Sequence, residues 1–264
     1  RQPRPAPAGH RLHDASTLQF ATMTTSGVRL NKFIADSGLC SRRDADALIT
    51  ARRVKVNGAV AGLGAVVGDG DSVTVNGRPV GARRKHVYIA LNKPTGVTCT
   101  TDQRDPTNIV DFVGHSARIF PIGRLDKDSE GLILLTTDGD IVNEVLRAEN
   151  RHEKEYLVTV DREVTPDFIA GMSASVPILG TRTLPCRVFR VDHQTFRIIL
   201  TQGLNRQIRR MCEYFGYTVQ RLRRVRIMNI ELGRLKRGHW RELTAQELAG
   251  LVPARSARDA NARR

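Results

Sequence analysis

The residues best placed to do chemistry lie in a charged turn, residues 123–131, that leads directly into apolar residues from Leu132 onward. Asp126 stands in this turn two positions after Arg124. A carboxylate at a buried edge stays ionised where a nearby cation offsets its desolvation, and an ionised carboxylate can act as a nucleophile or a base. We therefore identify Asp126 as the candidate catalytic group and expect Asp128 to face outward.

A second group of candidate residues, 202–212, leaves a predicted strand and enters a predicted helix. Ile208 and Met211 follow helical spacing and predict a core-facing side. Arg206, Arg209 and Arg210 cannot all share that face, so at least one projects toward a cleft or an anion. Arg209 follows the apolar Ile208 and is the best candidate for a partly buried partner of Asp126, although all three arginines could instead contact solvent or phosphate.

A tyrosine is the third candidate, at the start of a predicted strand over residues 156–160. Alternation places Tyr156, Val158 and Val160 on one face, so the ring could line a pocket with its hydroxyl available. A core tyrosine is the commoner meaning of such a position. His152 nearby has no predicted base or metal role.

Charge identifies the class of partner. The chain carries 42 Lys+Arg against 27 Asp+Glu, a formal net charge of +15. Such a surface attracts polyanions, and nucleic acid is the first candidate because neutralising phosphates releases counterions. Aromatic residues make up only 5% of the chain, which disfavours a broad stacking platform for single-stranded RNA. Shape and phosphate contacts should therefore dominate.

Residues 28–82 predict a small domain of two short helices and two strands. Ser41 is a plausible helix cap, and strands ending in Asn57-Gly58 and Asn76-Gly77 predict tight hairpin turns. We also expect Leu39 to follow the helical spacing of the first helix. The pattern resembles the S4-type RNA-binding module, and a solvated basic surface is the alternative. The candidate RNA-binding residues here are Arg29, Lys32, Arg42, Arg43 and Lys55.

Residues 87–252 predict a larger domain in which strands and helices do not alternate regularly. The fold class is therefore α+β, with a mixed, mainly antiparallel sheet flanked by helices. We expect residues 1–27 to be a disordered leader, 83–86 a linker and 253–264 a basic disordered tail. Thr165 and Thr244 predict helix caps, and residues 219–230 predict a strand that turns several arginines outward.

The four cysteines have no paired metal-ligand spacing, so we expect reduced thiols, no metal site and no disulfide framework. No stretch of the sequence approaches the roughly 18 to 20 apolar residues that span a bilayer. We therefore expect no membrane association and a cytoplasmic location.

Long, specific motifs resemble the pseudouridine synthases that modify bacterial ribosomal RNA, in the branch that acts on single sites. The resemblance covers about residues 28–252. It is carried by segments 93–96, 120–129, 152–161 and 202–212, which occur in the order and spacing of that family.

This resemblance implies an isomerase that detaches uracil from its ribose, turns it and rejoins it through carbon five, without a cofactor or metal. Asp126 would attack the sugar or deprotonate it, Tyr156 would stack on the base, and Arg209 would pair with Asp126 in a mostly dry pocket. Arg124 would act as a wedge or phosphate contact during base flipping. The implied partners are 23S ribosomal RNA and, as a second candidate, a tRNA anticodon stem-loop, and we expect a monomer. Further candidate RNA contacts are Arg206, Arg210 and Arg223.

Two alternatives from other classes stay open on the sequence alone. The first is a non-catalytic RNA-binding or ribosome-assembly protein, for which the amino-terminal domain would suffice. The second is a hydrolase with two carboxylates, for which Asp126 and Asp128 are an unconvincing pair because they flank one turn.

Overall fold

The computed structural model describes residues 27–81, 86–146 and 152–251. The predicted leader, linker and tail lie outside these residues except for Gly27 and His86. Two domains follow one another along the chain, as the sequence predicts. The sheet of the second domain is described below together with the helices that cover it.

The amino-terminal domain packs two helices against short strands. Its helices are α1 (Leu30–Asp36) and α2 (Arg42–Thr50). Its strands are β1 (Val28–Arg29), β2 (Val54–Val56), β3 (Ala59–Val60), β4 (Val66–Val67), β5 (Val73–Val75) and β6 (Arg78–Pro79). Strands β3-β2-β5-β6 form one sheet in that order, and β1 pairs with β4.

Local sequence signals explain this domain. Ser41 caps α2 in a reciprocal capping box with Asp44, as its residue type predicts. The predicted hairpin turns are confirmed. Asn57 and Asn76 have positive φ angles of 51° and 53°, and the glycine that follows each of them also has a positive φ. The expectation for Leu39 is wrong: α1 ends at Asp36, and Leu39 is 56% exposed in the turn that follows.

The second domain contains the remaining elements. Its strands are β7 (Tyr88–Lys93), β8 (Phe120–Ile122), β9 (Glu130–Thr136), β10 (Lys154–Val160), β11 (Pro177–Ile178), β12 (Thr181–Arg182), β13 (Arg187–Arg190), β14 (Thr195–Leu200), β15 (Val219–Ile227), β16 (Ile230–Glu231) and β17 (Trp240–Glu242). Its helices are α3 (Ile109–Val113), α4 (Gly139–Leu146), α5 (Pro166–Ser173), α6 (Gln207–Tyr214) and α7 (Ala245–Leu251). The predicted caps Thr165 and Thr244 begin α5 and α7.

One nine-stranded sheet organises this domain, with the order β13-β14-β10-β15-β9-β7-β17, while β8 and β16 pair at its margins. The pairs are antiparallel except β15 with β9, which run parallel through Arg223↔Glu130 and Arg224↔Gly131. The predicted α+β class with a mixed, mainly antiparallel sheet is therefore confirmed. The parallel join lies directly after the charged turn that carries Asp126.

A glycine makes this close join possible. Gly131 has φ +104°, a conformation that side chains rarely adopt, and a Cβ added there would overlap the backbone carbonyl of Arg224. The chain can thus leave the charged turn and enter β9 against β15 only with glycine at this position.

Two apolar clusters hold the two halves of the sheet. The larger one packs α3, α5 and α6 against β10, β14 and β15 and includes Val158, Ile198 and Met211. The smaller one packs α4 and α7 near β9 and includes Leu134 and Ile141. No helix in the described part of the chain is long and apolar enough to cross a membrane.

Candidate active site

A cleft of about 890 Å³ lies where the two halves of the sheet meet, and this volume is in the range typical of small-molecule sites. The charged turn, the start of β10 and the entrance of α6 all contribute to its wall. The structure thereby brings together five residues that the sequence singled out, namely Arg124, Asp126, Tyr156, Arg206 and Arg209.

The turn that carries Asp126 is fixed from below by backbone hydrogen bonds. Ser129 N–H donates to the Asp126 carbonyl at 3.0 Å, and Gly96 N–H donates to the Lys127 carbonyl at 2.8 Å. Gly96 belongs to the segment 93–96, so this motif acts as a support for the turn. The Asp126 side chain is 39% exposed. The expected mostly dry surroundings of Asp126 are therefore not found in this structure.

The cation beside Asp126 is Arg206, whose Nη1 lies 3.7 Å from Asp126 Oδ2. The expected ion pair between Arg209 and Asp126 is wrong, since Arg209 Nη2 instead lies 3.3 Å from Asp128 Oδ2. The reason is the path of the chain into α6. Arg206 has a left-handed backbone, φ 48° and ψ 35°, which directs it across the turn ahead of the helix.

Arg209 instead enters below the turn, on the buried side of α6. It is 8% exposed, and its Nη2 donates to the Asp128 carbonyl and the Ser129 hydroxyl, both at 3.2 Å. Its Nη1 donates to the Val219 carbonyl at 3.3 Å. Arg209 therefore ties α6 and β15 to the backbone of the turn just beyond Asp126.

The sequence predicts that Asp128 faces outward, and in the structure Asp128 also binds two arginines. It is half exposed, but Arg206 donates to both of its carboxylate oxygens, at 3.3 and 3.2 Å. Burial alone would raise the pKa of Asp128, but the hydrogen bond from Arg206 and the charges of Arg209 and Arg206 outweigh it and hold this pKa below its usual value. Asp128 thus acts as the anchor for both arginines.

Tyr156 is oriented by its strand, and its predicted alternation with buried Val158 and Val160 is confirmed. A network of ion pairs fixes the same stretch from the other face of β10. Arg226 lies 2.8 Å from Glu155 Oε2 and 3.0 Å from Glu153 Oε2. The ring is therefore held on the cleft side of the sheet.

Three basic residues of the cleft region escaped the sequence analysis. Arg224 is 3% exposed, donates through Nε to the Leu132 carbonyl at 2.7 Å, and has its guanidinium 6.0 Å from the centre of the Tyr156 ring. The sequence predicts that this strand turns several arginines outward, and Arg221 is exposed, whereas Arg224 is buried. The signal was alternation, because Arg224 pairs directly across from Tyr156 in the sheet.

Lys154 and Lys93 are the other two. Lys154 lines the cleft beside Tyr156, and burial together with the charge of Arg224 lowers its pKa. Lys93 is fully buried below the turn, where its ammonium donates to the Val97 carbonyl at 2.8 Å and burial lowers its pKa. Because side chains alternate along a strand, Lys154 could have been predicted to share the cleft-facing side of β10 with Tyr156. The residues next to Lys93 in the sequence do not predict its burial.

The other candidate RNA-binding residues lie outside the cleft. Arg29, Arg43 and Lys55 are exposed on the amino-terminal domain, whereas Lys32 and Arg42 form ion pairs with Asp140 of α4. Two more lie on the second domain. Arg210 donates to the Asn205 carbonyl at 3.2 Å, and Arg223 points to the face of β15 opposite the cleft.

No group of three or more His, Cys, Asp or Glu side chains that could hold a metal ion occurs among the described residues. The cysteines of this part of the chain are free thiols. The cleft offers the carboxylate of Asp126, the ring of Tyr156 and several cations.

Comparison with known proteins gives two family matches. Residues 87–214 match the model of RNA pseudouridylate synthases, and residues 28–73 match the model of the S4 domain. The first match contains Asp126, Tyr156 and Arg209.

Curated relatives and a solved structure agree with these matches. The chain is 58% identical over 231 residues to the dual-specificity RNA pseudouridine synthase RluF of Salmonella typhi, covering 87% of this chain and 80% of that protein. It is 37% identical over 232 residues to the ribosomal large subunit pseudouridine synthase B of Bacillus subtilis, covering 84% and 95%.

A crystal structure of a pseudouridylate synthase is similar with a TM-score of 0.63 and 30% identity, covering 85% of this chain and all of that one. These identities extend over most of each compared chain, and segments 120–129, 152–161 and 202–212 of this chain contribute to its cleft. The chain belongs to the RNA pseudouridine synthases, isomerases that act on RNA, and it has an S4 domain ahead of its catalytic domain.

Proposed function

We propose that this protein converts a specific uridine of 23S ribosomal RNA to pseudouridine, and that a tRNA anticodon stem-loop uridine is a second substrate. The name of the Salmonella typhi relative, a dual-specificity RNA pseudouridine synthase, supports two RNA classes. The observation that carries the proposal is that Asp126 and Tyr156 line one cleft, with Arg206 Nη1 3.7 Å from the Asp126 carboxylate.

Asp126 acts on the ribose of the bound uridine, either by attacking the anomeric carbon or by removing a sugar proton. Either route needs a negatively charged carboxylate, and the guanidinium of Arg206 lies 3.7 Å from that of Asp126. The glycosidic bond from the sugar to N1 breaks, the uracil turns within the cleft, and a carbon–carbon bond forms at C5. The proton on C5 leaves, N1 takes one up, and no other atom is gained or lost.

Tyr156 forms one wall for the detached base. A uracil that has left its sugar must be kept from solvent, and an aromatic ring offers a stacking face without competing hydrogen bonds. Its hydroxyl is also a candidate to accept the proton from C5. Arg224 behind the ring fixes its position through the contact at 6.0 Å.

Arg209 acts on catalysis by positioning the turn rather than by touching Asp126. Its bonds to the Asp128 carbonyl and the Ser129 hydroxyl set the backbone that presents Asp126. Arg124 is exposed at the rim, where it can occupy the space that a flipped uridine vacates or contact a phosphate.

The remaining cations bind the RNA outside the reacting nucleotide. Arg206 and Arg210 approach phosphates near the cleft, Arg223 binds farther away, and the amino-terminal residues contact a structured region of the RNA. The last set is Arg29, Lys32, Arg42, Arg43 and Lys55. We further propose that residues 28–82 and 87–252 are the working domains and that the protein acts as a monomer in the cytoplasm, where ribosomal and transfer RNA are found.

Replacing Asp126 with Asn tests the proposal, because the amide keeps the shape but cannot act as nucleophile or base. We expect tritium release from RNA labelled at uridine C5 to fall by about a thousandfold or more, with RNA affinity retained. Asp167→Asn, an exposed change in the first turn of α5, is the matched control. Full activity of the Asp126→Asn protein would overturn the assignment, and free uracil as product would indicate a hydrolase instead.

A further inference from the structure

A second basic surface lies on the face of β10, β14 and β15 that is turned away from the cleft. Alternation puts Tyr156 and Arg224 on the cleft side, whereas Leu157 points to the opposite side with Arg197 and Arg223 paired across from it. Leu157 belongs to none of the apolar clusters of the described residues. This part of the sheet is thus not covered by a helix-built core.

Two adjoining cavities of about 290 and 300 Å³ open on this face and share Arg223 and Gly233. We call them together the back groove. Seven basic side chains line it against three carboxylates, Glu130, Glu155 and Glu231. The basic residues are Arg197, Arg221, Arg223, Arg226, Arg234, Lys236 and Arg237.

Four of these cations are already used within the fold. Glu130 is 5% exposed, and its carboxylate takes Arg221 at 2.6 Å and Arg237 at 3.6 Å. Glu155 takes Arg226 at 2.8 Å and Arg197 at 3.4 Å.

Three cations and one carboxylate of the back groove are left over. Among the described residues, no carboxylate lies within ion-pair distance of Arg223, Arg234 or Lys236. No cation among these residues lies within ion-pair distance of Glu231 either. Like charges gathered in one concavity repel each other and lower stability unless an anion from outside joins them. The excess fits several phosphates spaced along an RNA backbone better than one small anion, since Arg223 lies on β15 whereas Arg234 and Lys236 lie in the connection between β16 and β17.

The back groove is also connected to the catalytic turn. Glu130 directly follows residues 123–129 of that turn and pairs with β15 at Arg223. Arg237 donates to the Thr95 hydroxyl at 2.8 Å, in the segment 93–96 that supports the turn. A phosphate backbone bound in the back groove would therefore be separated from the cleft by the thickness of the sheet.

We infer that the back groove binds phosphates of a large folded RNA whose target uridine enters the cleft on the other side. This inference rests on the proposed function and deepens it. Reaching both faces of a sheet requires an RNA with more than one helix, as a domain of ribosomal RNA has, because double-stranded RNA is contacted by shape and backbone. A short hairpin that fills the cleft cannot also reach the groove.

The test is the double variant Arg223→Gln/Arg234→Gln, which removes two unpaired charges and keeps polar side chains. The matched control is Arg162→Gln/Arg190→Gln, which removes the same charge from two exposed residues outside the back groove, one directly after β10 and one at the end of β13. Binding of an unmodified 23S ribosomal RNA transcript and of a short RNA hairpin is measured as a function of salt. Thermal unfolding checks that both variants are folded.

We expect the groove variant to bind the 23S transcript roughly 10- to 60-fold more weakly at 0.1 M salt, because two counterion-releasing contacts are lost. The slope of log K against log salt should become shallower by about 2. Hairpin affinity should change no more than in the control. Unchanged affinity for the 23S transcript, or equal losses on both RNAs, would overturn the inference.

Failure of this inference is distinguishable from failure of the proposed function. If Asp126→Asn abolishes tritium release while the groove variant binds normally, the enzyme assignment stands and the groove is not an RNA site. If the wild-type protein makes no pseudouridine, the proposed function fails, and the binding experiment still decides whether the groove holds RNA.

Discussion

Lys32 Nζ lies 2.8 Å from Asp140 Oδ2, and this ion pair joins the amino-terminal domain to the first turn of α4 in the catalytic domain. Arg42 Nη2 approaches the other oxygen of the same carboxylate at 3.1 Å. Two residues expected to contact RNA are thus engaged across the domain interface. Asp140 thus neutralises two cations that the proposed function assigns to RNA binding.

Replacing Asp140 with Asn should release Arg42, whereas Lys32 keeps its ion pair with Asp36 at 2.7 Å. Because these pairs are partly exposed, we expect the free energy of unfolding to fall by less than about 1 kcal/mol. RNA affinity should rise by roughly 2- to 5-fold as the local positive field increases. Filter binding at several salt concentrations measures the RNA affinity. The control is Asp161→Asn, which removes the ion-pair partner of Arg162. A weaker affinity would show that the ion pairs serve RNA binding by fixing the domains.

Replacing Gly131 with Ala should damage the join between β9 and β15. The added Cβ meets the Arg224 carbonyl, and φ +104° is unfavourable for alanine, so we expect a loss of about 2–4 kcal/mol in unfolding free energy. Gly62→Ala, where the added atom meets open space, is the control. Chemical denaturation compares the three proteins. Equal stability of Gly131→Ala and wild type would show that the strands can separate here at no cost.

Arg209→Met should separate the positioning role of Arg209 from direct catalysis. The buried guanidinium makes three hydrogen bonds at 3.2 to 3.3 Å, so we expect about 2–4 kcal/mol lower stability and at least a tenfold lower kcat. RNA affinity should hold, because Arg209 is buried below the turn. Arg162→Met, which removes an exposed arginine that has no proposed RNA contact, is the control. A large loss of RNA affinity with normal stability would show that Arg209 contacts the substrate.

Much of this architecture could be predicted because its signals are local. The Ser41 cap, the Asn-Gly turns and the alternation of Tyr156 with Val158 depend only on neighbours in sequence, and each is confirmed. The α+β class followed from the irregular order of helices and strands.

Apart from Leu39, where α1 ends earlier than expected, the errors concern contacts between segments far apart in the chain. Which arginine meets Asp126 depends on the left-handed backbone of Arg206 and on the packing of α6 below the turn. Neither feature is encoded in the residues next to Asp126. The burial of Arg224 likewise depends on its cross-strand neighbour Tyr156, which is distant in the chain but adjacent in the sheet.

Lys154→Met should stabilise the protein and impair its function. Burial and the charge of Arg224 lower the Lys154 pKa, so the folded state carries a cost below that lowered pKa. The cost fades as pH rises through it and is gone above the unfolded value of about 10.4. At neutral pH we expect the variant to gain about 1 kcal/mol and its KM for RNA to rise.

Thermal melts at pH 7 and pH 10.5, with tritium-release kinetics, check the Lys154 prediction. Lys154→Arg keeps the charge and should keep KM near the wild-type value. A less stable Lys154→Met protein would show that the ammonium has favourable partners that outweigh its burial.

The anchor role of Asp128 predicts an acid-dependent loss of stability. Because Arg206 and Arg209 hold the folded pKa of Asp128 below the unfolded value of about 3.9, its contribution is fully present above that value. It is lost as pH falls through the folded pKa, where the carboxyl group gains a proton and both arginines stay charged. The melting temperature of wild type should therefore exceed that of Asp128→Asn at pH 7, and the difference should shrink as pH falls below the unfolded value of about 3.9. Repeating the comparison in an Arg206→Gln background should reduce the pH-dependent part, because one of the two guanidinium groups that lowers the pKa is gone. A difference that stays constant from pH 7 to pH 3 would show that the Asp128→Asn substitution disturbs packing and that the charge of Asp128 does not anchor the arginines.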